Sequence, residues 1–575
     1  MHHKRTSIVL SAAVFTAMLF LYCSTLGNRP FFTRGEGREA LVVAAMEQQQ
    51  NLVLPRRNDA AIPSKPPLFH WLAYAAAQAG GGGINEFAVR FPSALCGALA
   101  AGAGFFVFSL VSGARTAAAA SAIMLTTFEW NRSAGHARVD MVFAGFLLIC
   151  QCALFFCLRR FREEGRSGAV LIGIILFSNA AAALAKGPPG LAIPWLIGGI
   201  FFATENFRTG LMIRKIPWSA VLCGGGGALV LTAVWYVLAY REGGQEFVGV
   251  QLLKENLARV VEIEGEEVGH EQPFYFSAIH LLLSSMPWSI FAPLLCLWLW
   301  RERKKVWAEG FSRYCLIWVV FFLLIVAASV SKRTVYFLPA MLPAAYLLAL
   351  CLADVFQRSA EWEKWLKGYA VFIFFLAVVL FTAGVAAVLF VFSGLSESAA
   401  PMLGRRTAED LALYLAAIRE NPWPLILPFI AAIGLAHAAK QTRGRFLAQT
   451  VLGFSCSFLA IALFVNIVVL PVEAQKKSPA YFMSEVRNIT GLERPLYQYQ
   501  DEFYAAVFYA GRSVPVVAYA AQLSEHPGEF FLLAPQKKVP EIMSAAAKCE
   551  TVIASANKAA NGKDRLVLLR ISRQQ

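Results

Sequence analysis

The sequence predicts a polytopic α-helical membrane protein with about 13 transmembrane helices and a small C-terminal α/β domain on the outer face. Two observations carry this prediction. Of the 575 residues, 57% are hydrophobic and only 15% are charged, whereas a soluble protein carries about 25% charged residues. Apolar runs of about 20 residues, the length that crosses a bilayer, also recur along most of the chain.

The first apolar run covers Ser7 to Leu26 and follows the basic start His2-His3-Lys4-Arg5. It has no small-residue cleavage site, so we predict an uncleaved first span rather than a signal peptide. Twelve more spans make the total odd, which places the two ends of the chain on opposite sides of the membrane. They are predicted at residues 92–112, 117–130, 139–157, 168–185, 189–204, 217–240, 275–299, 312–330, 334–354, 368–393, 423–439 and 447–471.

Basic clusters orient these spans. Clusters such as Arg159 to Arg162 and Arg301 to Lys305 fall on the side of the N-terminus, and short Lys/Arg-rich loops stay in the cytoplasm. The sequence therefore predicts a multi-pass protein of the cytoplasmic (inner) membrane, with loops 28–90 and 241–274 facing outside.

The composition changes at about residue 475, so we predict a membrane domain over 1–474 and an outer α/β domain over 475–575. No catalytic motif stands in the second domain, which predicts a structural cap or a contact surface for the acceptor. Its predicted strands are Pro495–Tyr499, Val514–Tyr519, Glu529–Leu533 and Arg565–Arg570, and its predicted helices are Pro479–Asn488 and Glu502–Ala510.

Charge and cysteine usage exclude several classes of protein. The net charge of +15 comes from short clusters between apolar runs, and no basic domain with interleaved aromatic residues exists to bind nucleic acid. The eleven cysteines lie almost entirely in apolar stretches and form no CxxC pair. Neither a zinc site nor a disulfide framework is predicted.

The polar stretch after the first span is the best candidate for a site. Glu36 and Arg38 stand beside Gly35 and Gly37, where a backbone can approach a ligand closely. Lys65 precedes Pro66-Pro67 and can offer a point charge to a phosphate.

Other charged residues fall at the same predicted face. A common outward cavity explains them together, with cations for a phosphate and carboxylates for a hydroxyl nucleophile. The apolar run Ala40 to Met46 predicts a helix lying along the membrane interface. The charged residues in question are His136, Arg138, Asp140, Lys186, Arg259, Glu262, Glu264, Glu266, Glu267, His270, Lys332 and Arg333.

An ordered set of motifs resembles a known family. Gly35–Ala40 stands in the register of a D-E-x-R-Y-A pattern, Pro63–Trp71 in that of an F-E-K-P-P stretch, and Asn85–Ser93 matches N-E-F-A-x-R-x-P-S. The chain thus resembles the bacterial protein O-mannosyltransferase and lipid A aminoarabinose transferase group, in the C superfamily of glycosyltransferases. Further matches are Ala137–Asp140, Lys186–Pro188, Gly269–Phe274, Met286–Trp288, and Ser331–Arg333 with Tyr336 and Pro339.

The resemblance implies an activity. A polyprenyl-phosphate sugar would bind from the outer leaflet, and an acceptor on lipid A, another glycan or a protein would attack its anomeric carbon, usually with inversion. Carried over by position, the implied catalytic carboxylates are Glu36 and Asp140, and the implied ligands of the donor phosphate or substrate are Arg38, Lys65, Arg259, His270, Lys332, Arg333 and Tyr336.

Two departures from the family pattern concern acidic residues. Gly35 stands where the family has its first Asp, and Ser64 where it has the acid before Lys-Pro. In the aminoarabinose transferases that acid and a histidine matching His270 can hold a metal. A divalent metal at His270 would need another carboxylate, such as Glu264, Glu266 or Glu267, so no metal site is assigned.

Three alternatives stay open on the sequence alone. A transporter or flippase would show inverted repeats and midplane charges, and neither is seen here. An O-antigen ligase or polymerase on a similar fold would use a pyrophosphate donor. A non-catalytic scaffold would leave the one-sided polar loops unexplained.

Overall fold

The chain folds into a helical bundle that carries a mixed five-stranded sheet near its C-terminus in a computed structural model. The structure describes residues 2–209, 216–257, 272–393, 404–524, 528–546 and 548–572.

The first half of the described chain is helical, and short polar connections separate its elements. Two stretches of π-helix, Ala220–Gly226 and Val248–Leu257, flank the ninth α-helix. The α-helices are α1 His2–Cys23, α2 Arg34–Gln48, α3 Leu68–Ala79, α4 Glu86–Leu125, α5 Phe128–Ala134, α6 Val139–Glu164, α7 Ala169–Lys186, α8 Pro188–Thr209 and α9 Gly227–Phe247.

The second half begins with a bent pair, in which α10 and the segment Trp288–Arg301 meet at 117°. Short 3₁₀ turns at Thr334–Phe337 and Trp423–Ile426 lead into two of the later helices. The α-helices are α10 Phe276–Ser284, α11 Ala292–Arg301, α12 Arg303–Ala308, α13 Gly310–Ala328, α14 Leu338–Gln357, α15 Glu363–Phe392, α16 Arg405–Glu420, α17 Leu427–Gly444, α18 Leu447–Phe464 and α19 Leu470–Lys477.

The number of spans is lower than predicted. Among the described residues, 11 helices are long and apolar enough to cross a membrane, or up to 12 if the bent pair is one span. Predicted span 92–112 lies within α4, whereas 117–130 starts in α4 and ends in α5. The backbone of α4 breaks at Gly113 with φ +82°. The part after Gly113 extends for only about 18 Å at 1.5 Å per residue, against a hydrocarbon core of about 30 Å.

The bundle core forms where α4 meets α1, α6 and α14. Small residues let these helices approach closely. A Cβ added to Gly145 of α6 would lie 3.0 Å from the carbonyl oxygen of Cys96 on α4. This tight packing fixes the start of α6, where Asp140 lies, relative to the start of α4, where Arg90 lies.

The C-terminal unit is a sheet in the order β2-β1-β3-β5-β4, covered by apolar clusters on its two faces. β1 pairs in parallel with β2 and β3, while β5 pairs antiparallel with β3 and β4. All four predicted strands and both predicted helices are confirmed, and β4 was missed. The domain boundary at residue 475 stays a prediction. The elements are α20 Ala480–Thr490, β1 Leu496–Tyr499, α21 Tyr504–Ala510, β2 Val516–Val517, β3 Phe530–Pro535, α22 Val539–Ala545, β4 Lys548–Ala554 and β5 Leu566–Ser572.

Helix α2 lies between the bundle and the C-terminal unit. Thr33 caps it by accepting a hydrogen bond from the backbone N–H of Glu36. Ala40 packs into the bundle core, whereas Leu41 packs into the core of the sheet unit. The apolar side chains of residues 40–46 are therefore mostly buried against protein, and a position of this helix along the membrane interface stays a prediction.

Gly37 is the point of closest approach between α2 and α21. A Cβ at this position would lie 2.6 Å from the backbone nitrogen of Ala505, so the predicted ligand contact at Gly37 is replaced by a protein contact. Gly37→Ala is expected to destabilise the protein by about 1–3 kcal/mol, because the backbone of α21 must move. Thermal melting in detergent measures this.

Gly35→Ala is the matched control, since a Cβ at Gly35 meets nothing within 4 Å. Equal melting temperatures for the two variants would contradict the close contact at Gly37.

Candidate active site

The two predicted outer loops meet in the structure. Lys65 Nζ donates to Glu255 Oε2 at 2.6 Å, and Arg56 Nη1 donates to Glu246 Oε2 at 3.0 Å. The side-chain amide of Gln251 donates to the carbonyl oxygen of Pro63. Residues far apart in sequence thus build one polar region beside the starts of α3 and α6.

Glu36 lies beneath this region and is fully buried. Its Oε1 accepts from Arg90 Nε at 2.7 Å and from the backbone N–H of Ala137 at 3.3 Å, while its Oε2 accepts from Thr33 Oγ1 at 3.2 Å. Arg90 is also fully buried and donates to the carbonyl oxygens of residues 26 and 29. Both oxygens of Glu36 are therefore occupied by protein donors.

The electrostatics of Glu36 follow from this ion pair. Burial by itself raises the pKa of a carboxyl group, but the charges of Arg90 and other neighbours outweigh burial and lower the pKa of Glu36 to about 2. The group is ionised at every physiological pH. Its stabilising contribution is present above its ordinary pKa and is lost as the pH falls toward 2.

A second buried carboxylate, Glu39, lies one turn further along α2. Its Oε1 accepts from Arg38 Nη2 at 2.6 Å, and its Oε2 lies 2.8 Å from His70 Nε2 on α3. The Arg38 charge outweighs burial and holds the pKa of Glu39 below its ordinary value. Glu39 thereby anchors Arg38, whose side chain is still one-third exposed.

Asp140 lies in the first turn of α6 and pairs with Lys186 at the end of α7. The Lys186 ammonium lies 4.7 Å from the ring centroid of Tyr336 and 5.1 Å from that of Phe143, a favourable cation–π geometry. Both charged side chains keep about a fifth of their surface exposed. Asp140 is thus more accessible than Glu36.

Cations and carboxylates alternate across the region. Asp140 lies within the electrostatic reach of Arg138 and Lys65, and Arg38 within that of Glu255. The guanidinium of Arg138 makes no hydrogen bond to another residue in the described part of the chain. The structure therefore brings together Arg38, Lys65, Asp140 and Tyr336 from the predicted set.

The remaining predicted residues have other placements. Lys332 is buried and donates to the carbonyl oxygen of Ser329 at 2.6 Å, while Arg333 is exposed. Arg259 and His270 lie outside the described residues. The described ranges contain no group of three or more His, Cys, Asp or Glu placed to hold a metal.

The sequence predicted Arg138 and Lys186 as cations of a common cavity, and the structure places both near Asp140. It predicted no role for Glu39 and His70, although both lie in the matched motifs. Their pairing joins two helices and has no spacing signature in the sequence.

His136 gives this region a pH dependence. It is buried with its Nδ1 2.8 Å from the carbonyl oxygen of Arg132. Burial and the charge of Arg29 lower its pKa to about 3, although Glu36 opposes them. A histidine with a lowered pKa contributes stability above pH 6.5 that is lost as the pH falls toward 3.

The wild-type protein is therefore expected to lose about 2 kcal/mol of stability between pH 6.5 and pH 5 through His136, at about 1.4 kcal/mol per pH unit. Thermal melting of His136→Gln at several pH values should show a flatter profile. His437→Gln is the control, because His437 is exposed. A His136→Gln profile that parallels the wild type would contradict this assignment.

Comparison with known proteins finds similar sequences and similar folds. The family model described as dolichyl-phosphate-mannose-protein mannosyltransferase matches residues 64–237. An undecaprenyl phosphate-alpha-4-amino-4-deoxy-L-arabinose arabinosyl transferase of Shewanella sediminis is 26% identical over 494 residues, covering 84% of this chain and 81% of its own. This chain is therefore similar to these membrane transferases over most of its length.

Further proteins are similar to this chain in sequence or in fold. The transferase of the same description from Aeromonas hydrophila is 25% identical, covering 74% of this chain and 76% of its own. The crystal structure of ArnT from Cupriavidus metallidurans bound to undecaprenyl phosphate superposes with a TM-score of 0.73 at 18% identity, covering 98% and 97% of the two chains. Its apo form superposes with a TM-score of 0.70. These structures share the fold of this chain.

Proposed function

We propose that this membrane glycosyltransferase transfers a sugar from a polyprenyl-phosphate donor to a hydroxyl or phosphate of an acceptor outside the cytoplasm. The observation that carries the proposal is a charged region in which the partly exposed carboxylate of Asp140 pairs with Lys186 and lies near Lys65 and Arg138. Arg38 lies near Glu255, the partner of Lys65. The relatives, whose names state an undecaprenyl phosphate donor, support the same donor class.

The donor phosphate is assigned to the cations of this cluster. Lys65 and Arg38 are only partly exposed, so a phosphate bound there is shielded from water and strongly stabilised. Arg138 adds a third cation on the side of Asp140. In such a reaction, preorganised cations that neutralise the charge of a leaving phosphate usually lower the activation barrier more than any other group does.

The transfer step uses the cations of this region for the donor phosphate and the carboxylate of Asp140 for the acceptor. The acceptor oxygen forms a bond to the anomeric carbon while the bond from that carbon to the phosphate oxygen breaks. The phosphate takes the bonding electron pair and leaves as polyprenyl phosphate, stabilised by Lys65, Arg38 and Arg138. When the acceptor is a hydroxyl group, its proton passes to the carboxylate of Asp140.

The two carboxylates predicted to be catalytic take different roles in this proposal. Asp140 keeps exposed surface and serves the acceptor. Glu36 has no exposed side-chain surface, so its proposed role is to position α2, and with it Arg38, through the ion pair with Arg90. A direct catalytic role for Glu36 would require this ion pair to open.

The proposal also includes the membrane face of the site, the acceptor and the sugar. The distribution of basic loops assigns the site to the periplasmic side. The family resemblance implies a lipid such as lipid A as the acceptor. A pentose donor would be of the aminoarabinose type, and a hexose donor would be of the mannose type. Lys332, Arg333, Arg259 and His270 stay candidates for contacts with the rest of the donor.

Asp140→Asn is expected to lower transfer to a hydroxyl acceptor by about 10²–10⁴-fold, the usual contribution of a general base. Purified protein in nanodiscs is incubated with undecaprenyl-phosphate aminoarabinose and dephosphorylated lipid A, whose acceptor groups are hydroxyls, and mass spectrometry measures the glycosylated product. Asp354→Asn is the control, because Asp354 is an ion-paired aspartate at the other end of the bundle. It should retain transfer.

Two results would overturn the proposal. Movement of the donor between leaflets without a covalent product would favour a flippase. Turnover with pyrophosphate-linked donors only would favour a ligase-type enzyme.

A further inference from the structure

Two adjoining cavities lie at the end of the bundle opposite the candidate active site. Asp140 lies in the first turn of α6, and Arg159 lies near the other end of the same helix, about 28 Å away at 1.5 Å per residue. Arg159 lines the larger cavity, of about 780 Å³. Arg208 and Ala308 line both this cavity and a smaller one of about 470 Å³.

The charges of the larger cavity are already compensated. Arg159 Nε donates to Glu163 at 2.9 Å. Glu205, which is nearly fully buried, pairs with Arg162, Arg208 and Arg313. Since each arginine that lines it has a carboxylate partner, this cavity offers little attraction to an added anion.

The smaller cavity has the opposite character. Arg208, Arg303 and Lys304 line it together with apolar side chains of α11, α12 and α13, and no carboxylate is among its described lining residues. Among the described residues, the guanidinium of Arg303 donates only to the carbonyl oxygen of Trp300, from Nη1 at 2.7 Å. Lys304 makes no hydrogen bond or ion pair with another residue that the structure describes.

The apolar wall identifies the kind of anion that fits. Leu299, Val306, Trp307 and Leu316 line the cavity below its cations, and Trp307 keeps 41% of its surface exposed. Such a site offers a cationic rim to a phosphate and an apolar surface to a hydrocarbon chain. Basic pockets between membrane helices bind lipid headgroups in this way.

We propose that this cavity is a binding site for an anionic phospholipid, whose phosphate contacts Arg303 and Lys304 and whose acyl chain lies against Leu299 and Leu316. Arg208, which pairs with Glu205, borders the site. The site lies at the other membrane face from the donor cluster and requires no sugar transfer. Its ligand is a lipid of the surrounding bilayer.

Native mass spectrometry of the full chain tests the proposal, with phosphatidylglycerol and phosphatidylcholine offered at equal concentration. The wild type should retain phosphatidylglycerol preferentially. The double variant Arg303→Gln/Lys304→Gln should weaken this binding by about tenfold or more, at about 1 kcal/mol per basic residue near a membrane surface. The charge-preserving variant Arg303→Lys/Lys304→Arg should restore it.

Arg159→Gln/Arg160→Gln is the matched control, because it removes two positive charges from the same end of the bundle, where both arginines pair with carboxylates. This control should bind phosphatidylglycerol like the wild type. Equal losses in both double variants would overturn the proposal, because the effect would then be a diffuse surface charge. Displacement of the lipid by millimolar glycerol phosphate or inorganic phosphate would also overturn it, in favour of a site for small anions.

Discussion

Lys65→Ala is expected to lower sugar transfer by about 10²–10³-fold, the usual cost of removing one preorganised group that stabilises developing charge. Lys65 is nearly buried and its ammonium lies 2.6 Å from Glu255, so its charge is held in place before any donor binds. The initial rate of product formation, measured by mass spectrometry at saturating donor, gives the size of the effect.

Two companion variants separate a phosphate ligand from a structural ion pair. Lys65→Arg preserves the charge and should retain a substantial part of the activity. Glu255→Gln removes the partner of Lys65 but leaves the lysine, so it should remain active if Lys65 binds the phosphate. If Lys65→Ala and Glu255→Gln lost transfer to the same extent, the ion pair itself would be the functional unit.

Arg90→Ala is expected to destabilise the protein by about 3–5 kcal/mol, because it leaves the carboxylate of Glu36 buried without its partner. Arg90 also donates 2.7 Å and 2.8 Å hydrogen bonds to two backbone carbonyl oxygens before α2, and its guanidinium lies 5.0 Å from the ring centroid of Phe31. Expression level and thermal melting in detergent measure the loss.

A double-mutant cycle identifies the origin of that loss. Replacing both partners, as in Glu36→Gln/Arg90→Met, should cost less than Arg90→Ala alone, because no unpaired charge stays buried. Glu36→Gln by itself should lose stability and transfer together. Wild-type stability with abolished transfer in Glu36→Gln would instead assign Glu36 to the chemistry.

The sequence predicted the region in which charges gather. Asp140 lies at the start of a membrane helix, where a charge is costly and usually marks function, and Arg38 and Lys65 lie in the polar stretch before α4. The structure places all three in one polar region, and their roles stay a prediction. The burial of Glu36 could not be predicted. Its partner Arg90 lies 54 positions away, and nothing in the local pattern distinguishes a buried carboxylate from a solvated one.

Two errors in the fold have separate physical causes. The positive φ of the single residue Gly113 turns two predicted spans into one interrupted helix, and apolar composition alone does not reveal such a break. Strand β4 was missed because it lies at the edge of the sheet and alternates half-buried positions with exposed ones such as Lys548 and Glu550. Its hydrophobic signal is correspondingly weak.

The contacts between residues 31–86 and the C-terminal unit have a consequence for folding during synthesis. Arg34 pairs with Asp501, 467 positions later, and Tyr509 accepts from the backbone N–H of Phe31 while its hydroxyl donates to Glu86. At about 5–20 residues per second, the ribosome needs about 25–90 seconds to deliver these partners. During that interval the stretch 28–90 of the nascent chain lacks its contacts with Asp501 and Tyr509. Folding of this stretch is complete only after the C-terminal unit has been made.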